Sequence, residues 1–192
     1  MSSSETTIRQ VGQQDLDTFQ QRIVQIFLDA CTIDGFAFNA QRATEEKAVG
    51  YLQSLFAHGP VAFFAFDSGR VASPCYPIAF LFGSALSSDP LLSQTPIADA
   101  YDVTQCGYIA ELAVDRGHRG RGVGHRLIEA YFAYCRERRL LDVLVRTSEA
   151  DQHLHRFYAS NGFRKLDITA RQDIRTPECS FIIKRYFHRS LR

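Results

Sequence analysis

The sequence carries almost no excess of charge: 22 lysines and arginines oppose 21 aspartates and glutamates, and the formal net charge is +1. A general nucleic-acid binder usually shows a strong basic excess, so the composition disfavours a nucleic-acid partner. Apolar runs near the ~20 residues that span a bilayer are also missing. The polar start MSSSETT lacks the apolar core of a signal peptide. We therefore expect a cytoplasmic protein with no membrane contact.

Cysteines with metal-ligand spacing are absent as well. None of the five cysteines lies in a C-x-x-C pair, and their number is odd. They are Cys31, Cys75, Cys106, Cys135 and Cys179. This spacing excludes a zinc site built on paired cysteines, and the odd number excludes a complete disulfide framework. We expect reduced thiols, as in a cytoplasm, and no bound metal.

What the sequence does have is the length and apolar content of one sizeable domain, with 192 residues of which 45% are hydrophobic. It shows no internal repeat and no long linker, so we predict a single domain over residues 1–192. Hydrophobic patterns predict strands at 7–11, 60–66, 77–86, 106–114, 140–147, 163–171 and 179–187, and helices at 15–31, 43–58, 123–139 and 152–160. The polar segment 87–105 is typical of a surface insertion. The order β α α β β β α β α β β predicts a mixed sheet covered by helices.

A concentration of glycine and arginine lies between the strand that ends at Val114 and the helix that begins near Val123. Glycine recurs at Gly120, Gly122 and Gly124, and arginine at Arg116, Arg119, Arg121 and Arg126. The first amides of a helix lack partners and face the positive end of its dipole, so a glycine turn into a helix is a ready anion site. The alternative is a solvated basic loop or a sequence-tolerant nucleic-acid tail.

Two familiar phosphate motifs do not fit this stretch. A P-loop needs Lys and Ser or Thr where Val123 and Gly124 stand. A dinucleotide fingerprint needs a third glycine, and His125 occupies that place. Both motifs are therefore excluded, and the phosphate ligand must be of another kind.

The pattern R-x-x-G-x-G does fit, with Arg119, Gly122 and Gly124, directly after a strand that ends in LAVD. The text LAVDRGHRGRGVGHRLIEAYFAYCRERRL is followed by a buried strand and by HRFYASNGF. Over Tyr108–Phe163 this resembles the GNAT superfamily of acyl-CoA-dependent N-acyltransferases. The order of strands and helices before it agrees with that family too, so the likeness in layout covers nearly the whole chain.

The resemblance implies an α/β (α+β) fold, with a mixed and mostly antiparallel sheet of about six to seven strands, a central splayed parallel pair and about four covering helices. It implies an enzyme that transfers an acetyl group from acetyl-CoA, its co-substrate, to a primary amine of a small-molecule or peptide acceptor. The amine would attack directly in a ternary complex. We leave open whether the chain forms a homodimer.

The resemblance also implies which residues hold acetyl-CoA. Backbone amides would wrap the pyrophosphate at Arg119, Gly120, Arg121, Gly122, Val123 and Gly124. The pantetheine arm would pair with main chain at Leu112, Ala113 and Val114, where two strands splay apart. The sequence departs from the family at Arg116, where many members carry proline. It departs again at Asp151, a further candidate contact with the cofactor, where the family often has asparagine.

Transfer to an amine needs a base for the amine and an acid for the leaving thiolate. Tyr158 matches a family tyrosine beside the CoA sulfur and is the candidate acid; its alternative is packing, since Leu154 and Phe157 share its helical stripe. Glu111 interrupts the apolar strand YIAELAV and is the candidate base. Its alternative is a glutamate that points to solvent or pairs with an arginine. Tyr108 is a secondary candidate for the acceptor pocket.

Four histidines are expected to be surface groups without a role in catalysis or metal binding. We expect His118 and His125 to be surface groups of the basic stretch, and His153 and His155 to be exposed rather than metal ligands. An alternative class, a non-catalytic acyl-CoA sensor on the same fold, would keep the basic stretch but would not need Tyr158 and Glu111 in a cleft.

The acceptor pocket is expected to come from residues 32–41, 87–105 and 171–179. In the first segment Phe36 and Phe38 suggest an apolar lip. In the second, Asp89, Asp99 and Asp102 either attract a cationic amine or are simply solvated. The acceptor itself stays open among small amines, antibiotics, amino acids and protein N-termini.

Overall fold

The computed structural model describes residues 6–33, 44–57, 60–67, 76–173 and 181–192. Within these ranges the strands are β1 Thr6–Val11, β2 Val61–Asp67, β3 Pro77–Ala85, β4 Cys106–Val114, β5 Asp142–Ser148, β6 Arg164–Asp173 and β7 Phe181–Ser190. The helices in the same ranges are α1 Gln13–Ile33, α2 Glu45–Ala57, α3 Ile97–Ala100, α4 Val123–Glu137 and α5 Gln152–Ser160.

The described strands form one seven-stranded sheet in the order β1-β2-β3-β4-β5-β7-β6. Pairing is antiparallel for β1 with β2, for β5 with β7 and for β7 with β6. Strands β4 and β5 pair in parallel, from Cys106 opposite Asp142 to Ile109 opposite Val145. The predicted mixed sheet with a central parallel pair is confirmed, while its splaying beyond this register stays a prediction.

Residue contacts divide the chain into two compact units, Met1–Phe82 with Glu111–Tyr131, and Gly83–Ala110 with Phe132–Arg192. The prediction of a single domain stays a prediction. The predicted order of strands and helices is confirmed, with β4 and α5 at their predicted bounds. Helix α4 ends at Glu137, two positions earlier than predicted, and Arg139 beyond it adopts a left-handed φ of 58°.

The core of the first unit lies between α1, α2 and the first strands. In α1 the buried residues Leu16, Ile23 and Phe27 recur at helical spacing, so one apolar stripe faces inward. Strand β2 is buried on both faces, as expected of an interior strand. Edge-to-face contacts such as that of Phe56 with Phe82, at 5.0 Å between ring centroids, fill the remaining volume.

The core of the second unit corrects one expectation. The segment 87–105 was predicted to be a polar surface insertion, but a short 3₁₀ turn and α3 direct Leu91 and Ile97 into the core. Their partners in this cluster include Tyr108 and Tyr186. Most residues of the segment are exposed, as predicted, but the prediction was wrong for its few apolar side chains that anchor it in the core.

In the described ranges no helix has the length and apolar character needed to cross a membrane. The side chains of Cys31, Cys106 and Cys135 are buried, and burial, followed by the charges of Asp142 and Asp102, raises the pKa of Cys106 to about 12. Cys75 and Cys179 lie outside the described residues.

Candidate active site

The glycine turn, residues 115–124, connects β4 to α4. It begins where the Asp115 amide donates to the Ile78 carbonyl at 2.8 Å. A 3₁₀ turn, Arg116–His118, follows, and the Asp115 carboxylate caps it by accepting from the Gly117 amide at 2.8 Å. Proline is tolerated at the first position of such a turn, so Arg116 in its place is compatible with the same backbone.

The Asp115 carboxylate ties the glycine turn to the rest of its unit. Its Oδ1 also lies 3.1 Å from His118 Nδ1, and its Oδ2 accepts from the Arg22 guanidinium. Arg22 in turn donates from Nε to the Pro77 carbonyl at 3.1 Å. Burial alone would raise the pKa of Asp115, but the hydrogen bonds from His118, Arg22 and Gly117 outweigh it and lower the pKa. The carboxylate is therefore ionised at neutral pH, and His118 belongs to this anchor.

In the second half of the glycine turn, the backbone amides have no hydrogen-bond acceptor among the described residues. Gly120 and Gly122 have φ of 72° and 76°, and a Cβ on either would meet nothing within 4 Å. Within the described chain, the amides of residues 120–124 donate no hydrogen bond. Gly124 is already the second residue of α4 and, unlike the other two, has no left-handed φ. The turn thus presents consecutive unpaired donors beside open space, as an anion site requires.

The arginines of this region divide into two groups. Arg119 donates from Nε to the Val114 carbonyl at 3.0 Å, and Arg126 donates to the Thr6 carbonyl. Arg116 and Arg121 are exposed and make no ion pair with any described residue. The first group therefore shapes the backbone, while the second adds positive potential at the turn.

Glu111 lies on β4, where it is only partly buried. Its Oε2 accepts a hydrogen bond of 2.8 Å from the hydroxyl of Tyr51 on α2. Sequence analysis did not find Tyr51, because the two residues are far apart in the chain and no local pattern connects them. The structure thus provides a half-buried carboxylate with a phenol bonded to one of its oxygens.

Tyr158 lies on α5, which follows β5. Its side chain is buried, and its ring centroid is 5.5 Å from that of Phe163 and 6.1 Å from that of Phe187. The helix begins at Asp151, whose Oδ1 accepts from the Leu154 amide at 2.9 Å. Asp151 thus caps the start of the helix. The ring of Tyr158 is packed among aromatic side chains, and its predicted role as an acid stays a prediction.

His155 corrects another expectation. It is buried rather than exposed, its Nε2 lies 3.0 Å from the Ser148 carbonyl oxygen, and its ring packs on Phe187. His153, on the same helix, is exposed as expected. In the described part of the chain no cluster of histidine, cysteine, aspartate or glutamate could hold a metal ion.

Asp89 provides the third correction, since it is neither solvated nor available to a cationic amine. Its carboxylate is buried, with Oδ1 3.0 Å from Arg146 Nε, and Oδ2 accepts from the Tyr186 hydroxyl at 2.6 Å. Arg146 Nε also donates to the Tyr108 hydroxyl at 2.7 Å. Burial and then the bond to Asp89 raise the pKa of Tyr186. Tyr108, the secondary candidate for the acceptor pocket, is thus engaged in a buried polar cluster.

Two parts of the predicted acceptor pocket lie outside the described residues. This holds for 34–41, with Phe36 and Phe38, and for 174–179. Asp102 is exposed and accepts hydrogen bonds from Thr104, which lower its pKa. Of the charged candidates in the middle segment, Asp99 and Asp102 remain on the surface.

Solved structures of acetyltransferases have a similar fold. Arabidopsis thaliana NAA60 in complex with acetyl-CoA is 20% identical with a TM-score of 0.66, and the match covers 97% of this chain and 98% of that one. The acetyltransferase yncA from Salmonella typhimurium with acetyl-CoA is 13% identical with a TM-score of 0.64, covering 97% and 94%. The ribosomal-protein-alanine N-acetyltransferase of Brucella melitensis is 15% identical with a TM-score of 0.64, covering 96% and 99%.

Residues 20–163 match the model of the Acetyltransferase (GNAT) family, and the chain belongs to that family. It is accordingly an acetyl-CoA-dependent N-acetyltransferase. A search of curated proteins finds no match. The resemblance inferred from the glycine turn is thereby confirmed at the level of family and fold.

Proposed function

We propose that this chain transfers the acetyl group of acetyl-CoA to a primary amine of a small-molecule or peptide acceptor, by direct attack in a ternary complex. The observation that carries the proposal is the row of unpaired amides at residues 120–124, next to open space above Gly120 and Gly122. These amides would otherwise remain unsatisfied except by water, and they match the needs of a diphosphate.

The residues of the glycine turn fit the pyrophosphate of CoA. The amides of Arg119, Gly120, Arg121, Gly122, Val123 and Gly124 are the proposed contacts. The Arg119 amide is the weakest of them, because it already lies 3.4 Å from the Arg116 carbonyl oxygen. The exposed guanidiniums of Arg116 and Arg121 add attraction for the diphosphate.

The pantetheine arm is proposed to run along the main chain of Leu112, Ala113 and Val114. The Val114 carbonyl already accepts from Arg119, so pairing there has to use another group or share that oxygen. Asp151 is kept as a proposed contact of CoA, with the qualification that its Oδ1 is committed to the Leu154 amide.

Bound acetyl-CoA supplies an activated acetyl thioester and a thiolate leaving group. Glu111, whose Oε2 accepts from Tyr51, takes the proton of the attacking amine, directly or through a water molecule. Tyr158 donates a proton to the departing sulfur. A phenol with an ordinary pKa near ~10 and a thiol near ~8.5 make this transfer slightly uphill, so the position of the phenol matters more than its acidity.

The test is a panel of amines scored by release of free CoA: ethanolamine, spermidine, lysine, kanamycin and a tetrapeptide with a free N-terminus. Wild type, Tyr158→Phe, Glu111→Gln and the control Tyr134→Phe are run side by side. We expect kcat to fall about 100-fold for the first two variants, with acetyl-CoA affinity retained. Tyr134→Phe, which removes a hydroxyl from α4, is expected to behave as wild type.

Unchanged turnover in Tyr158→Phe would remove this residue from the mechanism. Saturable 1:1 binding of acetyl-CoA without turnover of any amine would instead favour the non-catalytic sensor. Binding of nucleic acid that weakens steeply with salt, without saturable 1:1 binding of acetyl-CoA, would favour a nucleic-acid function.

A further inference from the structure

The glycine turn is attached to its unit at two ends. At the carboxyl end, α4 begins at Val123, which is buried, and Leu127 continues the buried face one turn further on. Between the ends, the amides of residues 120–124 donate to no described residue, and Gly120 and Gly122 have a left-handed φ. The direction of these amides before an anion arrives therefore depends on how firmly the first end is held.

The Asp115 carboxylate holds the first end. Its Oδ1 accepts from the Gly117 amide at 2.8 Å and lies 3.1 Å from His118 Nδ1. Its Oδ2 accepts from the guanidinium of Arg22, and the two side chains are only 17% and 29% exposed. A charged hydrogen bond that is partly shielded from water is stronger than one on an open surface.

Arg22 reaches the glycine turn from a helix that is fixed in the core. Its neighbours on α1, Ile23 and Ile26, are 2% and 0% exposed. From Nε, Arg22 also donates to the carbonyl of Pro77, the first residue of β3, at 3.1 Å. One guanidinium thus joins α1, the start of β3 and the glycine turn, and the Pro77 carbonyl directs it even without Asp115.

Such an attachment affects how tightly the turn binds an anion. Donors that are already in place bind more tightly, because less conformational freedom is lost on binding. Glycine has more backbone freedom to lose than any other residue, and Gly120 and Gly122 lie next to the unpaired amides. Fixing residues 115–118 shortens the stretch whose conformation the ligand has to select.

We infer that Arg22 is a positioning residue for acetyl-CoA: by holding Asp115 it fixes the start of the glycine turn and directs the amides of residues 120–124 toward the pyrophosphate. The inference rests on the proposed pyrophosphate site. The contribution of Arg22 to binding acts through Asp115 and the backbone, and it is distinct from the attraction that its positive charge exerts on a diphosphate.

A double-mutant cycle separates positioning from charge. Arg22→Met removes the donor, and Asp115→Asn replaces the acceptor that faces Arg22 by an NH₂ group while leaving an oxygen for the Gly117 amide. We expect each single variant to raise the Kd of acetyl-CoA about tenfold, and the double variant to bind no more weakly than either. An effect of charge alone would weaken binding in Arg22→Met and strengthen it in Asp115→Asn, because the second change removes a negative charge near the diphosphate.

Calorimetric titration measures the Kd, and turnover at varied acetyl-CoA gives a second readout. The KM for acetyl-CoA should rise with the Kd, whereas kcat at saturating acetyl-CoA should change much less. Arg9→Met is the matched control, since it removes an arginine that pairs with Asp15 of α1 at 3.0 Å and does not contact the glycine turn. Its Kd is expected to equal that of wild type.

Circular dichroism shows whether each variant is folded. If Arg22→Met does not fold, Arg22→Lys takes its place: it keeps the charge, but one ammonium group cannot reproduce the bonds to both Asp115 and Pro77. We expect its Kd to lie between those of wild type and Asp115→Asn. A Kd equal to that of wild type in Arg22→Lys would mean that only the charge matters, and the inference would fail.

The other outcomes overturn distinct statements. If both single variants bind acetyl-CoA as wild type does, or if their Kd values change in opposite directions, the inference fails and the proposed function stands. Losses that add in the double variant mean that Arg22 acts independently of Asp115, and again only the inference fails. No binding of acetyl-CoA by wild type, or normal binding by folded Gly122→Val, removes the proposed pyrophosphate site and the inference with it.

Discussion

The two turns that lead from a strand of the parallel pair into a helix use their backbone amides in opposite ways. In the glycine turn, between β4 and α4, the amides of residues 120–124 donate to no described residue. In the turn between β5 and α5, Asp151 accepts from the Leu154 amide through Oδ1 and from the His155 amide through its carbonyl. The same type of connection leaves its amides unpaired among the described residues in one place and is a closed structural turn in the other.

Charge follows the same division. Glu149, in the turn before α5, binds Arg185 with 2.5 Å between Oε2 and Nε, and Lys165 with 3.1 Å between Oε1 and Nζ. The exposed Arg116 and Arg121 of the glycine turn have no such acidic partner among the described residues. The comparison shows what a glycine-rich connection needs in order to bind an external anion. Its backbone amides must have no acceptor in the protein, and its arginines must have no acidic partner.

The largest effect is expected from Gly122→Val, which would close the open turn and remove its difference from the turn before α5. Valine at φ 76° is strained, and its branched side chain would fill the space beside the unpaired amides. We expect acetyl-CoA affinity to fall at least about 100-fold, measured by calorimetric titration of protein shown to be folded by circular dichroism. Gly122→Ala, with the same strain and less bulk, should lose less. Normal binding by folded Gly122→Val would contradict the proposed pyrophosphate site.

A smaller effect is expected from opening the closed turn with Asp151→Ala. Loss of the cap leaves the Leu154 amide unsatisfied, so the free energy of unfolding should fall by about 1 kcal/mol, and Asp151→Asn should restore most of it. Urea denaturation measures both. A stability equal to wild type in the alanine variant would show that the cap is unimportant. Acetyl-CoA titration of the asparagine variant then tests the proposed CoA contact, because an unchanged Kd removes Asp151 from that site.

The smallest effect is expected from Glu149 in the turn between β5 and α5, whose contribution to stability is lost at acidic pH. The hydrogen bond from Arg185, with help from Lys165 and against the effect of burial, lowers the pKa of Glu149 from 4.5 to about 2. Since the folded pKa is depressed, its stabilisation is complete above pH ~4.5 and is lost as the pH falls toward ~2. The side chain is 33% exposed, so solvent screening keeps the contribution below about 1 kcal/mol.

Comparing wild type with Glu149→Gln by urea denaturation at pH 7 and pH 3 isolates this contribution. We expect the variant to be slightly less stable at pH 7 and the difference to shrink at pH 3. A difference that grows on acidification would mean that the ion pair has the opposite sign of linkage. Because the change lies in the closed turn, acetyl-CoA affinity at pH 7 should stay as in wild type.

Sequence reasoning succeeded where the signal is local. The bounds of β4 and α5 came from an apolar run and from helical periodicity, and Gly162, just beyond α5, has a left-handed φ of 78°. The glycine turn was found in the same way, because glycine spacing and flanking arginines are short-range features. Such signals depend on backbone freedom and side-chain periodicity over a few residues.

It failed where a partner is distant along the chain. Asp89 was expected on the surface, yet Arg146 and Tyr186 bury and neutralise it. His155 was expected to be exposed, yet Phe187 and the Ser148 carbonyl enclose it. Polar residue types are usually solvated, so only knowledge of which elements meet could have reversed these expectations.

The amino-acid sequence by itself determined the order of strands and helices and the family, because each rests on neighbours within one turn or one strand, and it led to the proposed diphosphate site. Only the tertiary structure decided that Tyr51 bonds Glu111, that Asp89 is locked in a buried cluster, and that the amides of residues 120–124 stay unpaired. These depend on which groups packing brings together or keeps apart, and no local pattern of residues carries that information.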